Sequence, residues 1–205
     1  MWRTNRFRFV MRLLFVLLFS FSFFAQAQKP EPLFIGDKAP DFLALDQFEK
    51  RVSLRDQLKN GPVVLVFYRG QWCPHCNRHM SQVQDSLQMI LDAGTSVIAI
   101  TPELGNKIEK TMEKSGASFS IIYDENHRIM DKYHVTFKLS GWKRFIYGIA
   151  GININKASGN KDSALPVPAT YIIAQDGTVF SSHFNEDYTE RMTVKDMLTA
   201  LQELD

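Results

Sequence analysis

Cysteine is scarce in this chain: 205 residues carry two, Cys73 and Cys76. The chain can therefore close one intramolecular disulfide at most. By the loop-entropy model a four-residue loop contributes only ~2 kcal/mol, little for a domain that can already bury a core, so a structural staple is a weak reason for the pair. No internal repeat and no low-complexity run occurs, which excludes a repeat architecture. The longest apolar run, Leu13 to Phe24, is about a dozen residues against the ~20 that span a bilayer. Neither sign of charge dominates, at 24 Lys+Arg against 22 Asp+Glu.

The basic excess belongs to one end. Arg3, Arg6, Arg8 and Arg12 precede the apolar run, and Ala25-Gln26-Ala27 follows it with small residues where a signal peptidase reads. This pattern predicts a signal peptide over residues 1–27, cut after Ala27. Left uncut, the segment would act as a membrane anchor, lengthened by Val10 and Met11 if Arg12 snorkels. Its removal lowers Lys+Arg from 24 to 20 against 22 acidic residues, a net charge of −2. Nucleic-acid binding loses its electrostatic basis, and the only membrane attachment expected is an uncleaved leader. Residues 28–205 fit one domain. Export places it in the periplasm or outside the cell, where a disulfide persists.

Cys73-Pro74-His75-Cys76 follows the apolar run Val63–Tyr68 and precedes a helical pattern with Met80, Val83, Leu87, Ile90 and Leu91 on one face and Gly94 at the C-cap. At a strand-to-helix junction the first sulfur sits among unpaired helix N–H groups and the positive end of the dipole, which lowers its pKa. Cys73 is thus the expected exposed nucleophile and Cys76 the more buried resolving residue in thiol–disulfide exchange. His75, cationic when protonated, would stabilise the Cys73 thiolate and make the disulfide more oxidising. No organic cofactor is needed, because the dithiol stores the two electrons. A metal site is a competing reading: Cys73, Cys76 and His79 would need a distant ligand such as His127, His134 or His183. Asn77 stands where covalent haem attachment requires histidine.

Around the motif the pattern is α/β. Phe42–Leu45 and Arg51–Leu54 read as an edge hairpin, Val63–Tyr68 and Ser96–Ile100 as buried strands, Asn106–Lys114 as a helix, Phe119–Tyr123 as a short strand and Glu125–Tyr133 as a helix. Ala169–Ala174 and Thr178–His183 flank Gln175-Asp176-Gly177, a hairpin signal, and Thr193–Leu204 closes as an amphipathic helix. Val135–Leu165 reads as a partly helical insertion ending in a surface loop, with Trp142, Phe145 and Tyr147 as the packing face of its helix.

Three segments, Gly36-Asp37-Lys38-Ala39-Pro40-Asp41-Phe42, Val66 through Cys76 and Leu165 through Thr170, resemble thioredoxin-fold proteins of the AhpC/TSA (redoxin, peroxiredoxin-like) branch over nearly all of residues 33–204. The resemblance implies a thioredoxin-like fold: a central mixed sheet flanked by helices, with an N-terminal hairpin and an insertion before a strand that opens on a cis proline. It implies that Trp72 packs beside the sulfurs, and that Pro168, if cis, presents the backbone of Val167 to an extended substrate segment. Arg69 either steers an anionic substrate or caps the motif turn. Within the family two chemistries compete. The peroxidatic cysteine of peroxiredoxins falls on Cys76, but their threonine falls on Cys73 and their late arginine near Pro168, leaving Arg69 or Arg191 to substitute in space. The Cys-Pro-His-Cys sequence is also that of DsbA-type oxidases, and Phe67 replaces thioredoxin's buried acid. The expectation is therefore an exported thiol–disulfide oxidoreductase acting on protein thiols or disulfides, or on a redox partner protein. The alternatives are a thiol peroxidase that uses Cys76 with Cys73 resolving, its substrate a peroxide, and a Sco-like copper-binding chaperone.

Overall fold

The computed structural model describes residues 31–158 and 162–204; the leader expected over 1–27 lies outside them. Among the described residues no helix is long and apolar enough to cross a membrane. In chain order the strands are β1 (Leu43–Leu45), β2 (Arg51–Ser53), β3 (Val63–Phe67), β4 (Ser96–Thr101), β5 (Ser120–Tyr123), β6 (Thr136–Lys138), β7 (Ala164–Pro166), β8 (Ala169–Ile173) and β9 (Val179–Phe184). The helices are α1 (Leu54–Leu58), α2 (Pro74–Asp85), α3 (Leu87–Asp92), α4 (Gly105–Ser115), α5 (Arg128–Lys132), α6 (Gly141–Ile149), α7 (Ile154–Ser158) and α8 (Val194–Gln202).

Five strands form one mixed sheet in the order β5-β4-β3-β8-β9. β3 runs parallel to β4 and antiparallel to β8. Every residue of β3 is buried because helices cover both faces of the sheet. Val64, Val66 and Tyr68 point into one core with Met80, Val83, Ile108 and Met197, while Val63, Leu65 and Phe67 point into the other with Ile98, Ile122, Tyr133 and Tyr171. This alternation is the period of a strand. The expected edge hairpin forms as β1 and β2, a separate two-stranded sheet. Gly177, at φ +84°, supplies the positive φ that the turn between β8 and β9 requires.

Two expectations change. The single helix after the motif is two, because the chain leaves helical geometry at Ser86 (φ −106°, ψ 8°). The insertion is more ordered than a helix and a loop: β6 and β7 pair antiparallel, and α7 occupies part of the expected loop.

The insertion has a small core of its own, Leu139, Ile154 and Leu165, against which Trp72, Phe137 and Tyr147 pack. That core is too small to cover all of α6. Trp142, Phe145, Ile146 and Ile149, spaced as one helix face, are 48–73% exposed, so the expected packing face points outward and only Tyr147 turns inward. Ile98→Ala, in the buried centre of β4, is expected to lower the unfolding free energy by ~2–5 kcal/mol. Ile149→Ala, on the outward face, is expected to change it by less than about 0.5 kcal/mol. Urea titrations of the two variants check both values.

Candidate functional site

The site forms where β3 and β4 end side by side. After Phe67 the chain turns through Gly70 at φ +145°, where a Cβ would lie 2.5 Å from the Glu103 carboxyl and 2.7 Å from Trp72 Nε1. Glycine is therefore required by both conformation and space. Glu103 Oε2 accepts the Gln71 N–H at 2.7 Å, Lys114 Nζ donates to the Gln71 carbonyl at 2.9 Å and its side-chain oxygen at 2.6 Å, and Asn77 Nδ2 donates to the same carbonyl at 2.8 Å. The Cys73 N–H is donated back to Gly70 O at 3.0 Å.

This turn delivers Cys73 as the N-cap of α2, with Pro74 in the first turn, where its missing N–H costs nothing. The Cys76 N–H reaches Cys73 Sγ at 3.3 Å. Cys73 and Cys76 form a disulfide with 5.3 Å between their Cα atoms. Both are buried, at 2% and 1% exposure. The expectation of an exposed Cys73 beside a more buried Cys76 is corrected: both sulfurs join the core of Val66, Tyr68 and Met80, with Trp72 packed against it.

One guanidinium group lies against the pair, and a second, that of Arg69, lies against Trp72. Arg191 Nη2 lies 3.6 Å from Cys76 Sγ. Burial and then the charge of Arg69 push the Arg191 pKa down to about 10, against Asp187 and Glu190, which raise it. Arg69, 3% exposed, donates to the Tyr147 hydroxyl and lies 5.0, 5.4 and 4.6 Å from the ring centroids of Trp72, Tyr147 and Tyr188. Trp72 meets Tyr147 edge-on at 5.6 Å, and the half-buried His75 meets Tyr188 edge-on at 5.7 Å.

The resemblance implied a cis proline at Pro168; the structure has none, since no peptide bond among the described residues is cis. The Val167 N–H is donated to Val135 O at 2.7 Å and is unavailable for pairing with an extended substrate. The pairing of β6 with β7 carries the chain just before Pro168 alongside Val135. Val167 and Pro168 instead wall a cleft of about 470 Å³ that also borders Arg69, Phe137, Tyr147 and Tyr188.

Two of the histidines named for a metal site are engaged elsewhere. His79 is buried, its Nε2 is 3.1 Å from Met192 O, and burial lowers its pKa to about 4. His127 lies between Asp131 and Asp162, at 2.9 and 3.0 Å. Among the described residues no three His, Cys, Asp or Glu side chains cluster as metal ligands do.

The AhpC/TSA family model matches residues 35–182. The chain belongs to this family. It is 29% identical over 104 residues to the peroxiredoxin Bcp of Escherichia coli, a match covering 51% of this chain and 66% of that protein, just under two thirds of its length. It is 24% identical over 171 residues to the thiol–disulfide oxidoreductase ResA of Bacillus thuringiensis, covering 83% of this chain and 79% of that one. The fold is similar to the crystal structure of peroxidoxin BcpB from Mycobacterium tuberculosis, with a TM-score of 0.65 and 19% identity over 83% of this chain and 97% of that one. The central mixed sheet and flanking helices agree with this family's fold.

Glu103, Tyr147 and Tyr188 did not emerge from the sequence as site residues. Glu103 had one usable signal: in a parallel α/β sheet, the residues just past adjacent strand ends meet at one edge, and Glu103 follows β4 as Arg69 and Gly70 follow β3. Burial raises the Glu103 pKa to about 7, against the Gln71 N–H and the charges of Lys107 and Lys114. A carboxyl whose pKa rises on folding contributes stability that is complete below its ordinary value and is lost as pH climbs through the folded value. Stability is therefore expected to fall by on the order of 1–3 kcal/mol between about pH 4.5 and 7.5 from this group. Glu103→Gln is expected to remove that slope, read by urea unfolding at stepped pH.

Proposed function

We propose that this protein is an exported thiol–disulfide oxidoreductase that works through Cys73 and Cys76. The observation that carries the reading is the placement of the disulfide: Cys73 caps α2, and its sulfur already accepts the Cys76 N–H. After reduction the same N–H groups and the helix dipole stabilise a thiolate at Cys73. That thiolate attacks a sulfur of a partner disulfide, releases the partner's first thiolate and leaves a mixed disulfide. Cys76 then attacks Cys73 Sγ, releasing the second thiolate, so two electrons pass to the partner and the intramolecular disulfide returns. Run in reverse, the pair oxidises a dithiol partner. The Arg-rich, apolar leader supports a periplasmic or secreted location.

A second reading rests on one observation. Arg191 lies against Cys76, where its charge would stabilise a peroxidatic thiolate, and relatives named as peroxiredoxins match the chain. Separate Cys73→Ser and Cys76→Ser variants distinguish the two. On the exchange reading Cys73→Ser loses at least about a hundredfold in exchange rate with a model peptide disulfide, Cys76→Ser accumulates a mixed disulfide at Cys73, and peroxide oxidises neither thiol quickly. Fast sulfenate formation at Cys76 in Cys73→Ser would replace this reading with the peroxidase.

His75 is the proposed tuning residue. His75→Ala is expected to shift the reduction potential negative by on the order of 20–30 mV, measured against a glutathione redox buffer. An unchanged potential would remove His75 from the account.

A further inference from the structure

We propose that the cleft between α6 and Pro168 binds a small organic carboxylate with an apolar body, its carboxylate received by Arg69. The inference goes beyond the exchange chemistry and holds whichever sulfur reacts first.

A buried guanidinium normally meets a carboxylate, because its desolvation is otherwise uncompensated. Arg69 is 3% exposed, yet among the described residues no carboxylate forms an ion pair with it. Among the described residues its guanidinium donates to the neutral Tyr147 hydroxyl, and its buried Nε has no acceptor. The faces of three aromatic rings supply the remaining contacts. A second cation, Arg191, stands close enough for the two charges to oppose one another. Arg69 thus has a neighbouring like charge and an unused donor, and a carboxylate that accepts a forked pair of N–H groups supplies what it lacks.

The space beside Arg69 defines the rest of the ligand. The cleft of about 470 Å³ is within the range of small-molecule sites. Phe137, Leu139, Ile146, Val167 and Pro168 give it apolar walls, while Lys143 and Glu186 also border it. Inorganic anions would leave those walls wet. A medium-length carboxylate fills them while its head reaches Arg69.

Isothermal titration calorimetry of the purified protein with octanoate, octanamide and inorganic phosphate tests the assignment. Octanoate is expected to bind at least about tenfold more tightly than octanamide, and phosphate is expected not to displace it at equal concentration. Arg69→Met is expected to bring the two octanoyl ligands within about twofold of each other. The Cys73→Ser/Cys76→Ser double variant is expected to bind octanoate within about twofold of the wild type, so a failure of the exchange reading leaves this result untouched. Equal wild-type affinity for octanoate and octanamide, displacement by phosphate, or a carboxylate preference that survives in Arg69→Met would each overturn the proposal. Should Arg69→Met not fold, the wild-type comparison decides.

Discussion

The close approach of the Glu103 carboxyl to the backbone at Gly70 is the constraint on which the site depends. β3 and β4 run parallel and end together, so the residues that follow them compete for one small space. A glycine at position 70 leaves room for the carboxyl, and Glu103 then takes the N–H of Gln71. The turn so fixed aims Cys73 at the start of α2 rather than past it. Cys73 becomes the cap, Pro74 occupies the first turn, and Cys76 comes within disulfide reach one helical turn later. The chemistry assigned to the pair rests on this geometry more than on the identity of the two sulfurs.

The charge in contact with the pair is positive: Arg191 lies against Cys76, with Asp187 and Glu190 acting on it from behind, and Lys114 anchors the motif turn. Glu103, the acid of the turn, has its pKa raised to about 7 by burial, so around neutral pH it is partly neutral and offsets little of this charge. A thiolate formed at either cysteine enters a positive field. That field favours the reduced pair and makes the disulfide oxidising, the same direction that the helix dipole gives.

The frame was legible wherever the pattern was strong and local. The unbroken apolar run of β3 suits a strand covered on both faces, and Gln175-Asp176-Gly177 between two apolar segments is a strong hairpin signal. What escaped depended on long-range placement. Glu103 reads as a polar residue in a loop until β4 is known to lie beside β3. The apolar spacing of α6 shows that the helix has a face but not which way the face points, and the small core of the insertion leaves it outward. The resemblance implies a cis bond at Pro168, whereas the bond is trans and Val167 is paired with Val135. It likewise does not show that the oxidised cysteine pair packs into the core, which depends on the strands and helices around it.

On the proposed chemistry the helix cap makes Cys73 the thiolate. Alkylation of the reduced protein with limiting iodoacetamide across pH, with the modified residue identified by mass spectrometry, tests this directly. Cys73 is expected to be labelled first, with an apparent pKa well below the ~8.5 of a free thiol. Labelling of Cys76 first, or a Cys73 pKa at or above that of a free thiol, would contradict it.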